Sequence, residues 1–445
     1  MRIGLGSILG GGALLAVPLA VLLGAGGATA QEAEAVIEEV SGLNSGDLAW
    51  ILTSSAIVLM MTIPGLSLFY GGLVRSKNVL SILAQCFLCA ALISVTWVLW
   101  GYSLAFGNDI GGVVGDLSKF ALLSVPWEAG PDENIPEQAF MVFQLMFAII
   151  TPALIVGAIA ERMKFAAFFL FLLLWSTFIY SPLCHWVWGE GGWLLELGAL
   201  DFAGGTVVHI SSGTSALVAV LLLGKRRGFG REPMTPHNVP FVVIGAALLW
   251  VGWFGFNAGS ALAANGIATV AFVNTNTATG AAVLGWLLCE WVGKGKPTAV
   301  GAATGAVAGL VAITPAAGFV EPWAALIIGV VAGALCYKAC SWKNAMGYDD
   351  ALDVVGVHAV GGTWGALATG IFASTALSDG GLLTGNPGQL VTQVIAIVAT
   401  YAYCGIGTFI ILSILNAVVG LRVDEEDEET GLDLTQHAES AYTGT

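Results

Sequence analysis

The chain is predicted to be an all-α polytopic membrane protein: eleven transmembrane helices built from a 5+5 inverted repeat plus one additional C-terminal helix. Three observations lead there. Of 445 residues, 57% are hydrophobic and 10% charged, whereas a soluble domain carries about 25% charged residues. The apolar residues gather into eleven segments, each near the roughly 20 residues that cross a hydrocarbon core. A short His-containing pattern then recurs in the fifth and tenth segments.

Residues 1–30 read as a cleavable signal peptide, with Arg2, an apolar stretch from Ala13 to Leu23, and the small-residue site Ala28-Thr29-Ala30. Cleavage leaves a short extracytoplasmic segment, 31–46, with an acidic start. The membrane domain, 47–420, divides into spans at 47–71, 79–106, 138–160, 165–184, 202–224, 238–260, 266–292, 298–317, 322–340, 352–373 and 389–420. The sixty glycines suit close helix packing. Residues 421–445 form a cytoplasmic tail.

Charge fixes the orientation. Of 15 Lys and Arg, Arg2 lies in the signal peptide and Lys119 outside. The remaining thirteen, from Arg75 to Arg422, fall on the side that this topology makes cytoplasmic, a decisive positive-inside bias. The mature N-terminus is therefore outside and the C-terminus cytoplasmic, in the cell's inner membrane. The net charge of −15 sits largely in Glu32, Glu34, Glu38, Glu39 and the run Asp424 to Glu429, which excludes nucleic acid as a partner. Cys86-x-x-Cys89 lies in an apolar run with no second pair nearby and reads as packing. No metal or cofactor is expected.

The recurring pattern is DFAGGTVVHISSGTSAL (Asp201 to Leu217) and DVVGVHAVGGTWGAL (Asp353 to Leu367). In each an Asp precedes Val-His, and Gly-Thr stands four residues after the His: His209 with Gly213-Thr214, His358 with Gly362-Thr363. An ionisable residue within a membrane span marks a functional site by default. The two spans run in opposite directions, as in transporters whose pathway lies at the interface of inverted repeats. Asp201 and His209 are separated by about 12 Å along a helix, Asp353 and His358 by about 8 Å. Both imidazoles can then approach the middle of a core about 30 Å thick.

At these residues the sequence resembles the ammonium transporter family (Amt/Mep/Rh), in its bacterial Amt branch. WFGFNAGSA (Trp253 to Ala261), AERMKF (Ala160 to Phe165) and the tail from Gly431 to Tyr442 add to the likeness. The resemblance implies a homotrimer of eleven-helix subunits, each with its own narrow pore, that moves ammonium and methylammonium across the lipid bilayer. It implies an outer recruitment site at Trp188, Phe147 and Ser260, with Asp201 as a buried acidic residue near it. It implies a pore gate of Phe147 and Phe256 with Phe143 close by, and a twin-His pair, His209 and His358. It also implies a PII-type signalling protein as a partner on the cytoplasmic face. The tail departs from the family at Ala438, where Gly is common.

These residue types suit the chemistry. Ammonium has four N–H donors and no acceptor, so an aromatic cage with a hydroxyl replaces part of its hydration. Each cation–π contact contributes about 0.5–2 kcal/mol. That is too little to offset the several kcal/mol of moving a bare ion into low dielectric, so a narrow apolar pore pushes the ion to give up a proton. Neutral imidazoles, each able to donate or accept by tautomer, suit a relay for that proton.

Other readings remain at this point: an ammonium sensor acting through partner proteins, or a net-neutral ammonia gas channel. Catalysis is not expected. A triad of Asp201, His209 and Ser211 or Ser212 would separate Asp from His by about 12 Å. His185 and His237 lie at span ends and read as solvated or packing residues. Glu290 pairs with Lys294 at helical i,i+4 spacing.

Overall fold

The computed structural model describes residues 42–130 and 133–442; the expected signal peptide, 1–30, falls outside them. Eleven apolar helices match the predicted spans. They are α1 (Ser45–Leu73), α2 (Ser76–Phe106), α3 (Glu137–Ile159), α4 (Phe165–Glu196), α5 (Gly205–Leu223), α6 (Val239–Gly259) and α7 (Gly266–Lys294). There follow α8 (Ala299–Ile313), α9 (Pro322–Met346), α10 (Val355–Phe372) and α11 (Pro387–Val418). Two short tail helices complete the set, α12 (Glu425–Thr430) and α13 (Leu432–His437).

Local chemistry sets many of the ends. Asn44, Asn238, Asn265, Thr298 and Asn386 accept backbone N–H bonds at the starts of α1, α6, α7, α8 and α11. Pro240, Pro322 and Pro387 occupy first-turn positions, where a missing N–H costs nothing. Gly295 and Gly347 close α7 and α9 in the left-handed conformation.

Contacts at the two faces set α5 and α10 antiparallel, as an inverted repeat requires. α5 ends where Arg422 donates to Leu223 O at 3.1 Å. Arg226, just beyond it, bonds Asp349, just before α10. α5 therefore ends on the face where α10 begins. On the opposite face, the start of α5 and the end of α10 meet one connector: Phe202 N–H donates to Pro315 O at 3.1 Å, and Ser374 N–H to Phe319 O at 2.8 Å. α3 is the most enclosed helix and forms the central post.

The face rich in Lys and Arg is closed by a buried ion network. Glu161, 2% exposed, lies 2.7 Å from Arg75 and 3.1 Å from Arg226, and Arg226 also reaches Asp349 at 2.8 Å. Burial opposes ionisation of Glu161 and Asp349. At Glu161 the charges and bonds of Arg226 and Arg75 together outweigh it, and at Asp349 those of Arg226 with the charge of Arg162 do, so each carboxyl is held below its ordinary value. A depressed carboxyl contributes stability above its unfolded pKa and loses it as pH falls through the folded one. Glu161→Gln is expected to cost about 3 kcal/mol, the low end for breaking a buried pair, because Arg75 loses its counter-charge while Arg226 keeps Asp349. Thermal unfolding of the purified protein checks this: the wild type should lose stability on acidification below the usual carboxylate range, and the variant should lose less.

The tail is laid across this same face. Lys164 N–H donates to Leu421 O at 2.9 Å and Val423 N–H to Arg162 O at 3.0 Å. Ser81 N–H donates to Asp433 and Leu432 N–H to Asn78 Oδ1, each at 2.8 Å. The acidic run is only partly solvated. Glu428, 1% exposed, pairs with Arg422 at 2.7 Å. Ala438 takes the left-handed backbone (φ +55°) despite its Cβ.

Candidate functional site

Two half-helices carry the site, and each begins with an acidic cap. Asp201, on the connector into α5, accepts from the N–H groups of Gly204 at 2.8 Å, Gly205 at 2.6 Å and Thr206 at 2.7 Å, and from the Thr206 hydroxyl. These are the free donors of a helix start, where the dipole also favours negative charge. Gly204 has φ +116°, and a Cβ there would lie 2.5 Å from Val208 Cγ2, so glycine is required. The first turn is widened: Val208 N and His209 N both donate to Gly204 O at 3.0 Å. Such π-turns are frequent at functional sites.

α10 repeats this plan, and here the structure corrects the sequence reading. The widened turn Val355–Ala359 carries His358, and its start is capped by Asp350, whose Oδ2 accepts from Val355 N–H at 2.7 Å. Asp350 precedes His358 by eight residues, as Asp201 precedes His209. The counterpart of Asp201 is thus Asp350, not Asp353. Asp353 stands too close to the helix start to reach back to its free N–H groups. It takes φ +65° and turns to Lys343 Nζ, 2.6 Å away. The match is incomplete, because Asp350 Oδ1 is buried without a partner. Burial pushes the Asp350 carboxyl up to about 6, although Lys343 acts against it.

The recurring Gly-Thr has a packing cause. A Cβ at Gly213 would lie 2.3 Å from Ala359 N, and one at Gly362 would lie 2.9 Å from His209 Cβ. Each half-helix crosses the other at the glycine one turn after its His. Thr214 and Thr363 donate to the carbonyls four residues back, at 2.6 and 2.7 Å. Gly213→Val must therefore force the crossing apart, at about 1–3 kcal/mol for overpacking. A fall in unfolding temperature together with lost transport is expected, whereas unchanged transport would show that the crossing tolerates displacement.

At the crossing, His209 Nδ1 and His358 Nδ1 lie 3.3 Å apart. The rings are 5.3 Å apart between centroids at 29°, and 1% and 3% exposed. Two ring nitrogens can share one hydrogen bond only if one carries a proton and the other does not. His209 Nε2 has no protein partner. The space around the pair is a cavity of about 10 Å³, lined by Leu66, Tyr70, Leu249, Trp253 and Phe256, which is room for about one water-sized molecule.

The aromatic residues picked from sequence form a file leading to this cavity. Phe147 lies 5.7 Å from Trp188 and 4.4 Å from Phe256, and Phe143 lies 5.0 Å from Phe147. Phe256 is 6.2 Å from the His209 ring. Trp188 donates through Nε1 to Asp201 O at 2.9 Å. Ser260, one turn beyond Phe256, spends its hydroxyl proton on Phe256 O at 2.8 Å, which leaves its oxygen lone pairs free. Sequence reasoning missed Trp253. It stacks on His209 at 5.5 Å and 25°, and its Nε1 donates to Thr314 at 2.8 Å. Its position three residues before Phe256, on the same helical face, was the available signal.

On the other side of the pair, a cavity of about 40 Å³ runs from His358 past Tyr70 and Thr304 to Asp353. Beyond lies a vestibule of about 410 Å³ lined by Asp353, Glu290, Lys343 and Lys294. Glu290 is 3.8 Å from Lys294, but its shorter bonds are from Thr298, N–H at 2.9 Å and hydroxyl at 3.0 Å.

Fold and site together define a polytopic membrane protein with a narrow, occluded path through a single chain. The chain belongs to the ammonium transporter family, whose model matches residues 49–442. It is 50% identical over 407 residues to the ammonium transporter of Bacillus subtilis (strain 168), covering 90% of this chain and 99% of that one. It is 48% identical over 402 residues to ammonium transporter Amt1 of Archaeoglobus fulgidus, covering 90% and 100%. Among solved structures, Candida albicans Mep2 superposes with a TM-score of 0.83 at 38% identity, covering 90% of this chain and 91% of that one. A sensor Amt protein does so with 0.82 at 29%, covering 91% and 100%. The relatives are transporters by name rather than enzymes.

Proposed function

We propose that the protein takes up ammonium across the cytoplasmic membrane by separating it into ammonia and a proton. Ammonium is recruited at Trp188, Phe147 and Ser260 and deprotonated above the Phe147–Phe256 gate. Ammonia then passes the apolar cavity while His209 and His358 relay the proton. The observation that carries this reading is the 3.3 Å Nδ1–Nδ1 contact in the wall of a mainly apolar cavity sized for one small molecule. A proton arriving at one Nε2 can displace the shared proton and release another from the far ring, so charge crosses without a bare ion. Asp201 serves by holding the α5 start and the backbone that Trp188 grips, not by contacting the substrate.

In this reading the Lys/Arg-rich face is cytoplasmic, the mature N-terminus is outside, and the subunit works as a homotrimer. The docked tail, 421–442, offers the surface for a PII-type partner. A pull-down with the host's PII protein, with and without ATP and 2-oxoglutarate, tests that part. Current recorded on a solid-supported membrane after an ammonium jump tests the transport mechanism, with methylammonium for comparison. Ammonia flux without any current would replace this reading by the net-neutral channel.

A further inference from the structure

His185 was expected to be a solvated or packing residue, but it is fully buried and bonded at both ring nitrogens. It sits on α4 three residues before Trp188. Nδ1 lies 2.9 Å from Ala105 O, and Nε2 lies 2.9 Å from Asp109 Oδ1. A backbone carbonyl and a carboxylate only accept, so both nitrogens must bring a proton, and a neutral imidazole has one. The proton does not reside on Asp109. That carboxylate also accepts from Gly112 N–H at 2.7 Å, and the His185 bond holds its carboxyl below its ordinary value.

The two acceptors belong to the outer lip of the protein. Ala105 ends α2, and Asp109 opens a hairpin of β1 (Asp109–Ile110) and β2 (Val114–Gly115). Neighbours of His185 hold the same lip: Trp186 Nε1 donates to Val113 O at 2.8 Å, and Trp193 N–H to Gly112 O at 3.1 Å. The ring packs directly against Gly189. A Cβ at Gly189 would lie 2.4 Å from its Nδ1. Of the ionisable groups on the packed elements (Tyr102, Asp109, Asp116, Tyr180, Cys184, Glu190, Glu196 and His209), only Asp109 bonds it.

We propose that His185 is held as an imidazolium and acts as a positioning residue for the outer aromatic site, clamping the lip to the helix turn that presents Trp188. The proposal rests on the recruitment reading of Trp188. Without the second proton one nitrogen lone pair faces an oxygen, so the clamp holds only while both are present. Asp109→Asn removes the need for the second proton, because the amide can donate to a bare Nε2 while Nδ1–H keeps Ala105, with the loss of the Gly112 N–H bond that the same Oδ1 accepts.

The test combines ¹⁵N spectra of histidine-labelled protein, with the His185 signals assigned by their loss in His185→Gln, and methylammonium affinity by calorimetry. Methylammonium remains a cation throughout a range of about pH 6 to about pH 8.5. The expected results are two protonated ring nitrogens on His185 near neutrality, and a wild-type affinity that falls about fivefold across that range, as for one lost hydrogen bond. The Asp109→Asn profile should be flat. A neutral His185 in the wild-type spectrum overturns the proposal whatever the variants do, as does an equal pH dependence in wild type and Asp109→Asn. Trp188→Ala separates the two readings. If it leaves the affinity unchanged, the recruitment site lies elsewhere and the positioning role falls with it, while the spectra still decide the protonation state.

Discussion

His209→Ala is expected to remove the ammonium-driven current while leaving the chain folded. Among the described residues the imidazole is the only group at hydrogen-bond distance from His358 Nδ1, so its loss breaks the proposed relay at its single joint. A positioned proton-transfer group contributes about 100- to 10,000-fold to the rate of its step, and current should fall to background on that scale. Stability should change less, because Trp253, Phe256 and Gly362 still wall the space. The variant also enlarges a cavity of about 10 Å³, so neutral ammonia flux can persist or rise. A current that persists unchanged would sink the relay.

Asp201→Asn is expected to be a strongly damaging isosteric change, through structure rather than substrate contact. The carboxylate accepts from Gly204, Gly205 and Thr206 N–H and from the Thr206 hydroxyl. An amide offers one acceptor oxygen and turns a donor toward the remaining N–H. Two lost charge-assisted bonds cost at least about 3 kcal/mol, at the low end of about 1.5–3 each. The α5 start then shifts, and with it His209, eight residues on, and the carbonyl that Trp188 grips at 2.9 Å. Asp350→Asn should cost much less, because Asp350 uses one oxygen, on Val355 N–H, and its other is unpartnered. Unfolding temperatures of the two variants, measured side by side, check the asymmetry; equal losses would show that the two caps bear equal weight.

Much of this site was legible in the chain because its constraints are local. A His in an apolar run is costly wherever the chain goes, and a glycine one turn later is needed wherever another helix crosses there. Those residues therefore stand out in both halves without knowledge of their partners. The aromatic file was legible through its motifs, and Trp253 was missed because a tryptophan in an apolar run needs no functional reason. The Asp353 reading failed for a different cause. Both Asp350 and Asp353 stand near the start of α10, and which one reaches the free N–H groups depends on where the helix begins and how its first turn widens.

Composition, span length and charge distribution by themselves determined that the chain crosses a membrane eleven times, which ends face together, and that two opposed helices each carry a His. They could do so because hydrocarbon penalises polar groups position by position. Tertiary structure alone decided that the two Nδ1 atoms lie 3.3 Å apart, that Asp350 caps α10, and that His185 is enclosed by two acceptors. The two histidine contacts join groups far apart in the chain, and the cap depends on where α10 begins, none of which periodicity and spacing encode.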